Sequence, residues 1–436
     1  MRFLGIGDTC DLGSLYLRLI EEDHEVRAFA GEPLAEGTLK GLVPRTPDWR
    51  AELGWIREAG RDGIVLFENV AEGRGAIQDA LRRDGFNVIG GSAFGDRLEN
   101  DRAFAQGVLS SLGFPVAGTW DFEDAAAGDR FIAENPGRYV LKFNGPDFAA
   151  NDNYVGQLAD GRDVRAVLAA KLRGRQGRAS FVLMEHVDGI EMGVGAYFDG
   201  RSFLSPPCLD WEHKRFFTGD LGELTGEMGT VVTYDRARRF FGRTLARLAP
   251  LLREHGHVGY LNLNTIVNAR GVWPLELAAR FTYPGYMLLD PIQETPWGGL
   301  FHTMAHRTAP HFAVRPGFSL CIVLTTPPFP YTRKQVAESV GLPVLFDGAL
   351  DDEDRASLHY GEVGLDDGGA LVTSGVYGWT LVVTGVGPTI AAAKDKAYRL
   401  AGRTFAPNLR YRRDIGDKLI AGDYARLEAL GVLEEE

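Results

Sequence analysis

Short apolar runs alternate with amphipathic stretches along the first hundred residues of the chain. Apolar runs at 1–7, 26–30, 64–68 and 87–90 predict strands, and apolar positions recurring at helical spacing over 12–22 and 75–83 predict helices between them. This alternation is typical of a parallel sheet with helices on its faces. Because ligands of open α/β sheets bind beyond the carboxyl ends of the strands, we expect a ligand near the glycines that follow them.

The pattern changes at Pro115, which ends a helix carrying Phe104, Val108 and Leu112 on one face. Residues 117–186 predict a small α+β unit, with strands at 139–143 and 181–187 and a helix at 163–173. Later strands are predicted at 192–198, 203–206, 258–267 and 272–277, with a helix around 235–254. From residue 319 short strands and loops alternate, with a helix at 388–402.

The charge balance disfavours nucleic acid as a partner. The chain has 47 basic and 59 acidic residues and a net charge of -12, whereas gripping a phosphate backbone requires concentrated positive charge. Its three cysteines lack the CxxC spacing of a zinc site, and no apolar run reaches the ~18 residues of a membrane span. We therefore expect a cytoplasmic protein that binds small molecules and neither nucleic acid nor a membrane.

The first predicted strand ends in Gly5-Ile6-Gly7, the start of the dinucleotide-binding fingerprint GxGxxG. Cys10 replaces the third glycine, which weakens a dehydrogenase interpretation. Two alternatives remain. Either the glycines only turn the chain, or the amides near Gly13 and Ser14, where the next helix begins, hold an anion.

Several charged residues stand at strand ends or inside strands. Lys142 lies within an apolar strand, where a cation is costly to bury unless it meets a phosphate or a carboxylate. Glu276 and Arg280 follow a later strand, and such a pair can hold magnesium and a transferred phosphate or form an ordinary ion pair. The strand at 181–187 leads into a run that can hold a nucleotide, with backbone groups for adenine and carboxylates for ribose.

Residues 212–230, EHKRFFTGDLGELTGEMGT, are too rich in glycine and charge for a core strand. We predict a substrate-binding loop, because the glycines permit close backbone approach while Lys214 and Arg215 supply cations for an anion. A solvated surface loop is the alternative.

In this order the motifs resemble the glycinamide ribonucleotide synthetase (phosphoribosylamine-glycine ligase) family of the ATP-grasp superfamily, almost from end to end. WEHKR...GDLGELTGEMG is similar to the family's QDHKR...GDTGPNTGGMG, and VLMEHVDGIE is similar to VIEEFLDGEE. DRAF resembles SKAF, YVLKFNGPDFAANDNYVG resembles VIKADGLAAGKGV, and ELAARFTYP resembles EFNCRFGDPE. Near the C-terminus, TLVVTGVGPTIAAAKDKAY and RRDIG resemble VLCVTALGHTVAEAQKRAY and RKDIG.

The resemblance implies roles for individual residues. It implies that Lys142 binds phosphate, that Arg280 acts with it in catalysis, and that Glu276 binds the metal. The remaining nucleotide site is implied to comprise Arg102, Glu185, His186, Val187 and Glu191. The implied substrate site comprises Gly7, Asp8, Glu68, His213, Lys214, Arg215, Asp220, Thr225, Gly226, Met228, Gly229 and Arg280.

The chain also departs from the family's motifs. GNGGREHA is replaced by GIGDTCDLG, and GPEAPL by FENVAEG at 67–73, and both loops help to hold phosphoribosylamine in the family. The glycine-rich lid loop has lost most of its glycines in PDFAANDNY at 146–154, and Arg102 replaces the lysine of SKAF. Ala278 replaces an asparagine that binds magnesium. We hypothesise that Asn262 or Asn264, which strand alternation places on one face, joins Glu276 instead.

The implied fold is a multidomain α/β and α+β protein with the ATP-grasp fold. We predict a Rossmann-like N-terminal substrate domain at 1–98, a central ATP-grasp domain at 99–117 and 187–318, a lid subdomain at 118–186 and a C-terminal α+β domain at 319–436. The implied cofactors are ATP and Mg²⁺ or Mn²⁺, and the implied partners are a small-molecule amine and a carboxylate. A monomer or a homodimer is implied.

The implied reaction joins a carboxylate to an amine through an acyl phosphate, as in purine biosynthesis. Two alternatives stay open. One is a specialised ligase that joins a small amino acid to a different amine, which the altered N-terminal loops favour. The other is a catalytically weakened nucleotide-binding relative with a regulatory or structural role, which Ala278 and the altered lid loop motivate.

Overall fold

The computed structural model describes residues 1–68, 73–143, 153–173, 180–331 and 337–433. Most of the two loops that depart from the family's motifs, 67–73 and 146–154, therefore lies outside the described residues. Within the described ranges, no helix combines the length and the apolar character needed to cross a bilayer.

The N-terminal unit and the helices that leave it consist of β1 (Arg2–Gly7), α1 (Gly13–Glu21), β2 (Glu25–Ala30), α2 (Leu53–Glu58), β3 (Gly63–Phe67), α3 (Arg74–Arg83), β4 (Asn87–Ile89), α4 (Ala93–Asn100) and α5 (Arg102–Ser111). The strands form a parallel sheet in the order β2-β1-β3-β4, as the apolar pattern predicts. Phe3 packs into the core on one face and Leu4 into the core on the other. Both faces are therefore buried, as parallel sheets require.

A small α+β unit follows, with β5 (Thr119–Phe122), α6 (Ala125–Glu134), β6 (Tyr139–Phe143), β7 (Tyr154–Val155), α7 (Arg162–Leu172) and β8 (Phe181–Glu185). Its sheet is antiparallel in the order β5-β8-β6-β7. Leu141 and Leu183 pack in one core with residues of α6 and α7. Because strand residues alternate between faces, Lys142 lies on the face opposite to these helices.

The central region consists of β9 (Ile190–Phe198), β10 (Cys208–Glu212), β11 (Arg215–Phe217), β12 (Leu221–Leu224), β13 (Gly229–Thr233), α8 (Arg238–Arg243), α9 (Ala249–Glu254), β14 (Gly259–Asn268), β15 (Gly271–Ala278), α10 (Gly285–Leu289) and α11 (Trp297–His306). The C-terminal region consists of β16 (Phe318–Thr325), β17 (Leu345–Phe346), α12 (Asp352–Ala356), β18 (Leu358–Tyr360), β19 (Val363–Leu365), β20 (Leu371–Thr373), β21 (Trp379–Gly387), α13 (Ile390–Gly402), β22 (Thr404–Phe405) and α14 (Tyr424–Ala429).

One eight-stranded sheet joins these two regions, in the order β15-β14-β9-β10-β13-β16-β21-β18. β16 pairs with β13 over residues 318–322, so the sheet continues across residue 319, where we predicted a domain boundary. One face of this sheet carries the largest apolar core, which includes residues of α13. The other face meets α1 of the N-terminal unit and α10 and α11 of the central region in a second core.

The prediction of a loop over 212–230 is wrong at both ends. Glu212 ends β10, and Gly229 and Thr230 begin β13, a fully buried strand that pairs on both sides. The segment between them forms the hairpin of β11 and β12. Glycine and charge misled the prediction because Gly229, at φ 155°, begins the strand in a conformation that side chains disfavour.

Two other predicted elements differ from the structure. The strand predicted at 203–206 consists of isolated pairs, Phe198 with Phe203 and Ser205 with His311, because Pro206 has no N–H to continue a ladder. The helix predicted around 235–254 is split into α8, a 3₁₀ turn at Leu245–Leu248, and α9. The break is at Thr244, whose backbone leaves the helical region with φ -123° and ψ -101°.

Candidate active site

One face of the eight-stranded sheet changes from apolar to polar along its strands. On β10 the side chains on this face are Cys208, Asp210 and Glu212, and on neighbouring β14 they are Tyr260, Asn262 and Asn264. The apolar ends pack in the core shared with the N-terminal unit. The polar ends lie beside Glu191 of β9 and Glu276 of β15, so four adjacent strands contribute to one polar patch.

Lys214 stands at the centre of this patch. Its Nζ lies 3.1 Å from a carboxylate oxygen of Glu212 and 3.4 Å from one of Glu191, and it donates a hydrogen bond to Glu276. Burial lowers the pKa of Lys214, but the three carboxylates outweigh burial and raise it well above the usual value. The Lys214 ammonium in turn lowers the pKa of Glu276 to about 2. The lysine is therefore a fixed positive charge among three carboxylates.

The two asparagines of the metal hypothesis bond to carboxylates on the same sheet face. Asn264 lies directly opposite Glu276 in the ladder and donates 3.0 Å and 3.1 Å hydrogen bonds to Glu191 and Glu212. Asn262 lies opposite Ala278 and donates a 2.5 Å hydrogen bond to Asp210.

No three His, Cys, Asp or Glu side chains of the described ranges could hold a metal ion by themselves. A magnesium ion that arrives on nucleotide phosphates needs only one or two carboxylates from the protein. Glu276, which lies opposite Asn264 in the ladder, fits that requirement.

Two cations, Lys142 of the α+β unit and Arg102 at the start of α5, face the patch. Burial, together with the charge of Arg102, lowers the pKa of Lys142 to about 7, and Glu276 opposes this effect. The Arg102 guanidinium lies 2.8 Å from the sulfur of Met184, on the same sheet face as Lys142. The structure thus brings Lys142, Arg102, Lys214 and Glu276 together across one cleft.

A second group of carboxyls lies deeper on the same sheet face. Burial and then the charge of Glu212 raise the pKa of Asp210 to about 8. Burial, Glu212 and Asp210 raise the pKa of Glu227 well above its usual value. Glu212, which contacts Lys214, stands between this group and the Lys214 cluster.

The predicted adenine-side residues lie where the α+β unit joins the central sheet. Glu185 ends β8 and is exposed, while Val187 is buried. His186 lies 3.3 Å from Asp188, and burial lowers its pKa. Of the predicted nucleotide-binding residues in this segment, Glu191 is the one that the structure places in the Lys214 cluster.

Most other predicted substrate residues of 212–230 have partners within the protein. His213 is buried, its Nε2 accepts a 3.2 Å hydrogen bond from the amide of Gly416, and burial lowers its pKa to about 4. Asp220 accepts hydrogen bonds from Arg412 and Lys418. Hydrogen bonds within this segment also involve Arg215, Thr225, Met228 and Gly229. Gly226 lies beside Trp379. These residues brace Lys214 against the C-terminal region.

Arg280 and Glu276 have different partners, although they are close in sequence. The Arg280 guanidinium donates a 3.0 Å hydrogen bond to Glu99 of α4, and Glu276 pairs with Lys214. Arg280 also lowers the pKa of Asp11 in the N-terminal unit, where burial has the larger, opposite effect. The structure therefore places Arg280 between the N-terminal unit and the central sheet.

The carboxyl ends of β1 and β3 form an acidic pocket. Glu68 is 2% exposed and accepts hydrogen bonds from the Tyr16 hydroxyl at 2.7 Å and the Asp11 amide at 2.8 Å. Burial and the charge of Asp11 raise the pKa of Glu68 to about 8. A Cβ on Gly7 would lie 1.9 Å from a Glu68 oxygen, so only glycine fits there. Asp8 pairs with Arg74 at 2.5 Å.

Sequence reasoning missed Asp210, Glu227, Thr230 and Asp11. Asp210 could have been found, because CLDWE alternates acidic side chains with Leu209 and Trp211 as a strand does. Glu227 carried a different signal, because the resembled motif TGGMG has a glycine at its position, but the local pattern did not show that it is buried.

Comparison with known proteins relates this geometry to one family. Residues 100–285 match the family described as phosphoribosylglycinamide synthetase, ATP-grasp (A) domain. The chain is 27% identical over 441 residues to phosphoribosylamine–glycine ligase of Mycobacterium tuberculosis, covering 97% of this chain and 99% of that protein. It is 26% identical over 359 residues to the Pseudomonas aeruginosa protein of the same name, covering 79% and 80%.

Solved structures confirm the predicted ATP-grasp fold. Phosphoribosylamine–glycine ligase of Thermotoga maritima superimposes with a TM-score of 0.70 at 19% identity, over 95% of this chain and 100% of that chain. The biotin carboxylase domain of Hydrogenobacter thermophilus 2-oxoglutarate carboxylase, solved with MgADP, gives a TM-score of 0.61 at 11% identity over 100% and 99%. The predicted family resemblance is thereby confirmed as well.

Proposed function

We propose that the protein is an ATP-dependent ligase that joins a carboxylate to an amine, because residues 100–285 match the phosphoribosylglycinamide synthetase ATP-grasp domain. One observation carries the proposal. Lys142 and Arg102 on one wall face Glu276 and Lys214 on the other, in the cleft between the α+β unit and the central sheet. Cations on one wall suit nucleotide phosphates, and a carboxylate on the other suits their metal ion.

The first step is phosphoryl transfer from ATP to the substrate carboxylate. A carboxylate oxygen attacks the terminal phosphorus, the bond to ADP breaks, and an acyl phosphate forms. Lys142, with Arg102, neutralises charge on the phosphate oxygens and holds the groups in line, which is most of what this reaction needs. A bound Mg²⁺, held by Glu276 and an asparagine oxygen, would supply further charge neutralisation.

The second step forms the amide. The amine attacks the carbonyl carbon, phosphate leaves with one oxygen of the original carboxylate, and the new nitrogen loses a proton. We expect closure of the α+β unit over the cleft to keep water from the reactive acyl phosphate. No covalent bond to the protein is required, and Cys10, Cys208 and Cys321 are all buried.

The relatives named above are phosphoribosylamine–glycine ligases, and we propose phosphoribosylamine and glycine as the first substrate pair to test. The N-terminal pocket favours a second candidate. Arg74 is already neutralised by Asp8, and the carboxyl groups of Asp11 and Glu68 lie near this pair, whereas a sugar phosphate is held best by cations with free N–H donors. A specialised ligase that takes a different amine, one without a phosphate, fits this acidic pocket better.

Phosphate release from ATP, measured across a panel of amines and amino acids, tests the proposal. Stimulation by glycine with phosphoribosylamine supports the first pair, and stimulation by another pair supports the specialised ligase. Lys142→Met should reduce turnover at least about a hundredfold, because it removes the charge that faces the phosphates. Lys171→Met, at an exposed lysine of α7, is the matched control and should leave turnover unchanged. ATP binding without turnover for every pair tested would instead indicate a catalytically weakened nucleotide-binding relative.

A further inference from the structure

A cavity of about 550 Å³ lies at the end of the eight-stranded sheet that is opposite to the Lys214 cluster. It is bounded by residues 205–206 before β10, by residues 234–238 after β13, and by residues 311–314 after α11. β13 runs from the Lys214 end to the cavity in five residues, and at ~3.3 Å per residue this length is roughly 17 Å. The cavity is therefore separate from the proposed catalytic cleft.

The size and the apolar wall of this cavity are those of a small-molecule site. Such sites have volumes of about 300–1,000 Å³ and are lined mainly by apolar and aromatic side chains, with a few polar groups. The rings of Tyr234 and Phe312 meet edge to face with centroids 5.8 Å apart, and these residues are 6% and 7% exposed. Pro206 and Val314 extend the apolar surface. A flat apolar group can therefore pack against this wall.

The charged part of the lining is mainly cationic. Arg236 and Arg238 line the cavity, and Asp235 is the one acid among the described residues of the lining. In a chain of net charge -12, residues 236–253 contain no acidic residue and six arginines, which are Arg236, Arg238, Arg239, Arg243, Arg247 and Arg253. A concave site with charge of one sign concentrates ligands of the opposite sign. The surroundings therefore favour an anion.

Arg236 has a hydrogen-bond donor beyond those that its ion pair uses. Its Nη1 donates to Glu428 of α14 at 2.5 Å, while its Nε is buried and has no partner among the described residues. Oδ2 of Asp235 accepts a 2.7 Å hydrogen bond from the amide of Gly317. Buried N–H groups are almost always paired, and a carboxylate or phosphate oxygen is the acceptor that a guanidinium bonds most strongly. The Nε of Arg236 therefore suits an anionic group.

We propose that this cavity binds a small molecule in which a planar apolar ring carries a carboxylate or a phosphate. The ring packs against Tyr234 and Phe312, and the anionic group pairs with Arg236, beside the exposed Arg238. Because the cavity and the catalytic cleft are at opposite ends of β13, this ligand and MgADP bind at the same time. The proposal does not depend on the reaction that the cleft catalyses.

Calorimetric titration of the full-length protein, with and without saturating MgADP, tests this site. The probes are benzoate and phenyl phosphate, which share a ring and differ in the anionic group. Benzyl alcohol has the ring without the charge, and inorganic phosphate has the charge without the ring. We expect at least one of the two ring anions to bind about tenfold or more tightly than both of these analogues, and equally well with MgADP present.

Variants of the lining connect this binding to the cavity. Val314→Trp should weaken binding of the ring anion at least about tenfold, because the larger side chain occupies the space of the ring. Arg236→Gln should reduce the preference for the ring anion over benzyl alcohol to below about threefold, because the charged donor is lost. Arg238→Gln, at an exposed position, should also reduce this preference and tests the charge if Arg236→Gln does not fold. Arg243→Gln, at an exposed arginine of α8 outside the lining, is the matched control and should retain the preference.

Four outcomes would overturn the proposed site. They are no binding of either ring anion, equal binding of the ring anions and benzyl alcohol, binding that Val314→Trp leaves intact, and displacement of the anions by MgADP. Displacement would place the anions in the nucleotide cleft instead. Phosphate release from ATP is measured separately, so none of these outcomes bears on the ligase proposal.

Discussion

Lys142 is the residue that links the proposed chemistry most directly to pH. Its pKa is lowered to about 7, so the side chain of the free protein loses its charge above that pH. A nucleotide phosphate placed beside it would favour the charged form and raise the pKa again. Binding of MgADP at pH 8 should therefore take up about one proton, and binding at pH 6 almost none.

Calorimetry in two buffers with different ionisation enthalpies measures this proton uptake. Lys142→Met should abolish it, and Lys171→Met should retain it. Uptake that is the same at both pH values, or that survives in Lys142→Met, would contradict the placement of phosphate beside Lys142.

The pair of Glu276 and Lys214 predicts how stability responds to acid. The pKa of Glu276 falls from 4.5 in its ordinary state to about 2 in the folded protein, chiefly because of Lys214. A carboxylate with a lowered pKa stabilises the fold above its unfolded pKa, and this stabilisation is lost as the pH falls from 4.5 towards 2. Since the Glu276 side chain is 52% exposed, solvent screening limits the effect to about 1 kcal/mol.

Urea unfolding at several pH values checks this prediction. Glu276→Gln should be about 1 kcal/mol less stable than wild type at pH 6. The difference should shrink as the pH is lowered below 4.5, because the wild-type carboxylate becomes protonated. If the difference in stability between wild type and Glu276→Gln stays constant down to pH 3, the ion pair between Glu276 and Lys214 does not determine that difference.

At the scale of single residues, the sequence predicted the charged residues that stand out from an apolar strand. Lys142 and Glu276 were found in this way, and the structure brings them to one cleft. Their assignment to phosphate and metal stays a prediction. The partners of Lys214 could not be predicted, because they depend on the register of four strands that are far apart in sequence.

At the scale of elements, β9 makes room for the polar side chains of its neighbours. A Cβ on Gly193 would lie 2.1 Å from Oδ1 of Asp210, and one on Gly195 would lie 1.8 Å from the Tyr260 hydroxyl. Gly193→Ala should therefore displace Asp210 and destabilise the fold by about 1–3 kcal/mol, as overpacking does.

Gly242→Ala is the matched control for this variant. Gly242 lies in α8, and a Cβ there would meet nothing within 4 Å. Alanine should stabilise the exposed helix by about 0.5–1 kcal/mol, or leave its stability unchanged. Urea unfolding of both variants gives the comparison, and a Gly193→Ala protein as stable as Gly242→Ala would contradict the described contact.

The elements that the sequence predicted best are those with a regular apolar period. The four parallel strands of the N-terminal unit and α13 agree with their predictions to within a few residues. β10 and β13 were not predicted, because half of their side chains face a polar site and Gly229 begins a buried strand. A strand that builds a site departs from the pattern expected of a core strand.

At the scale of the whole molecule, the site depends on three units that meet at one sheet face. The α+β unit supplies Lys142, the central sheet supplies Glu276 and Lys214, and the C-terminal region braces the segment that carries Lys214 through Arg412. The family comparison confirms the predicted fold. The local apolar pattern alone could not have predicted this fold, because the eight-stranded sheet joins strands from residue 190 to residue 387.

The central claim is that the protein uses ATP to activate a carboxylate. Transfer of ¹⁸O from a labelled carboxylate to inorganic phosphate tests it most directly, with glycine labelled in both carboxylate oxygens, MgATP, and the amine that best stimulates phosphate release. The account predicts one ¹⁸O atom in each phosphate formed, because that phosphate leaves with an oxygen of the acyl group. With Lys142→Met, labelled phosphate should form at least about a hundredfold more slowly. Phosphate that forms at the wild-type rate without the label would contradict it.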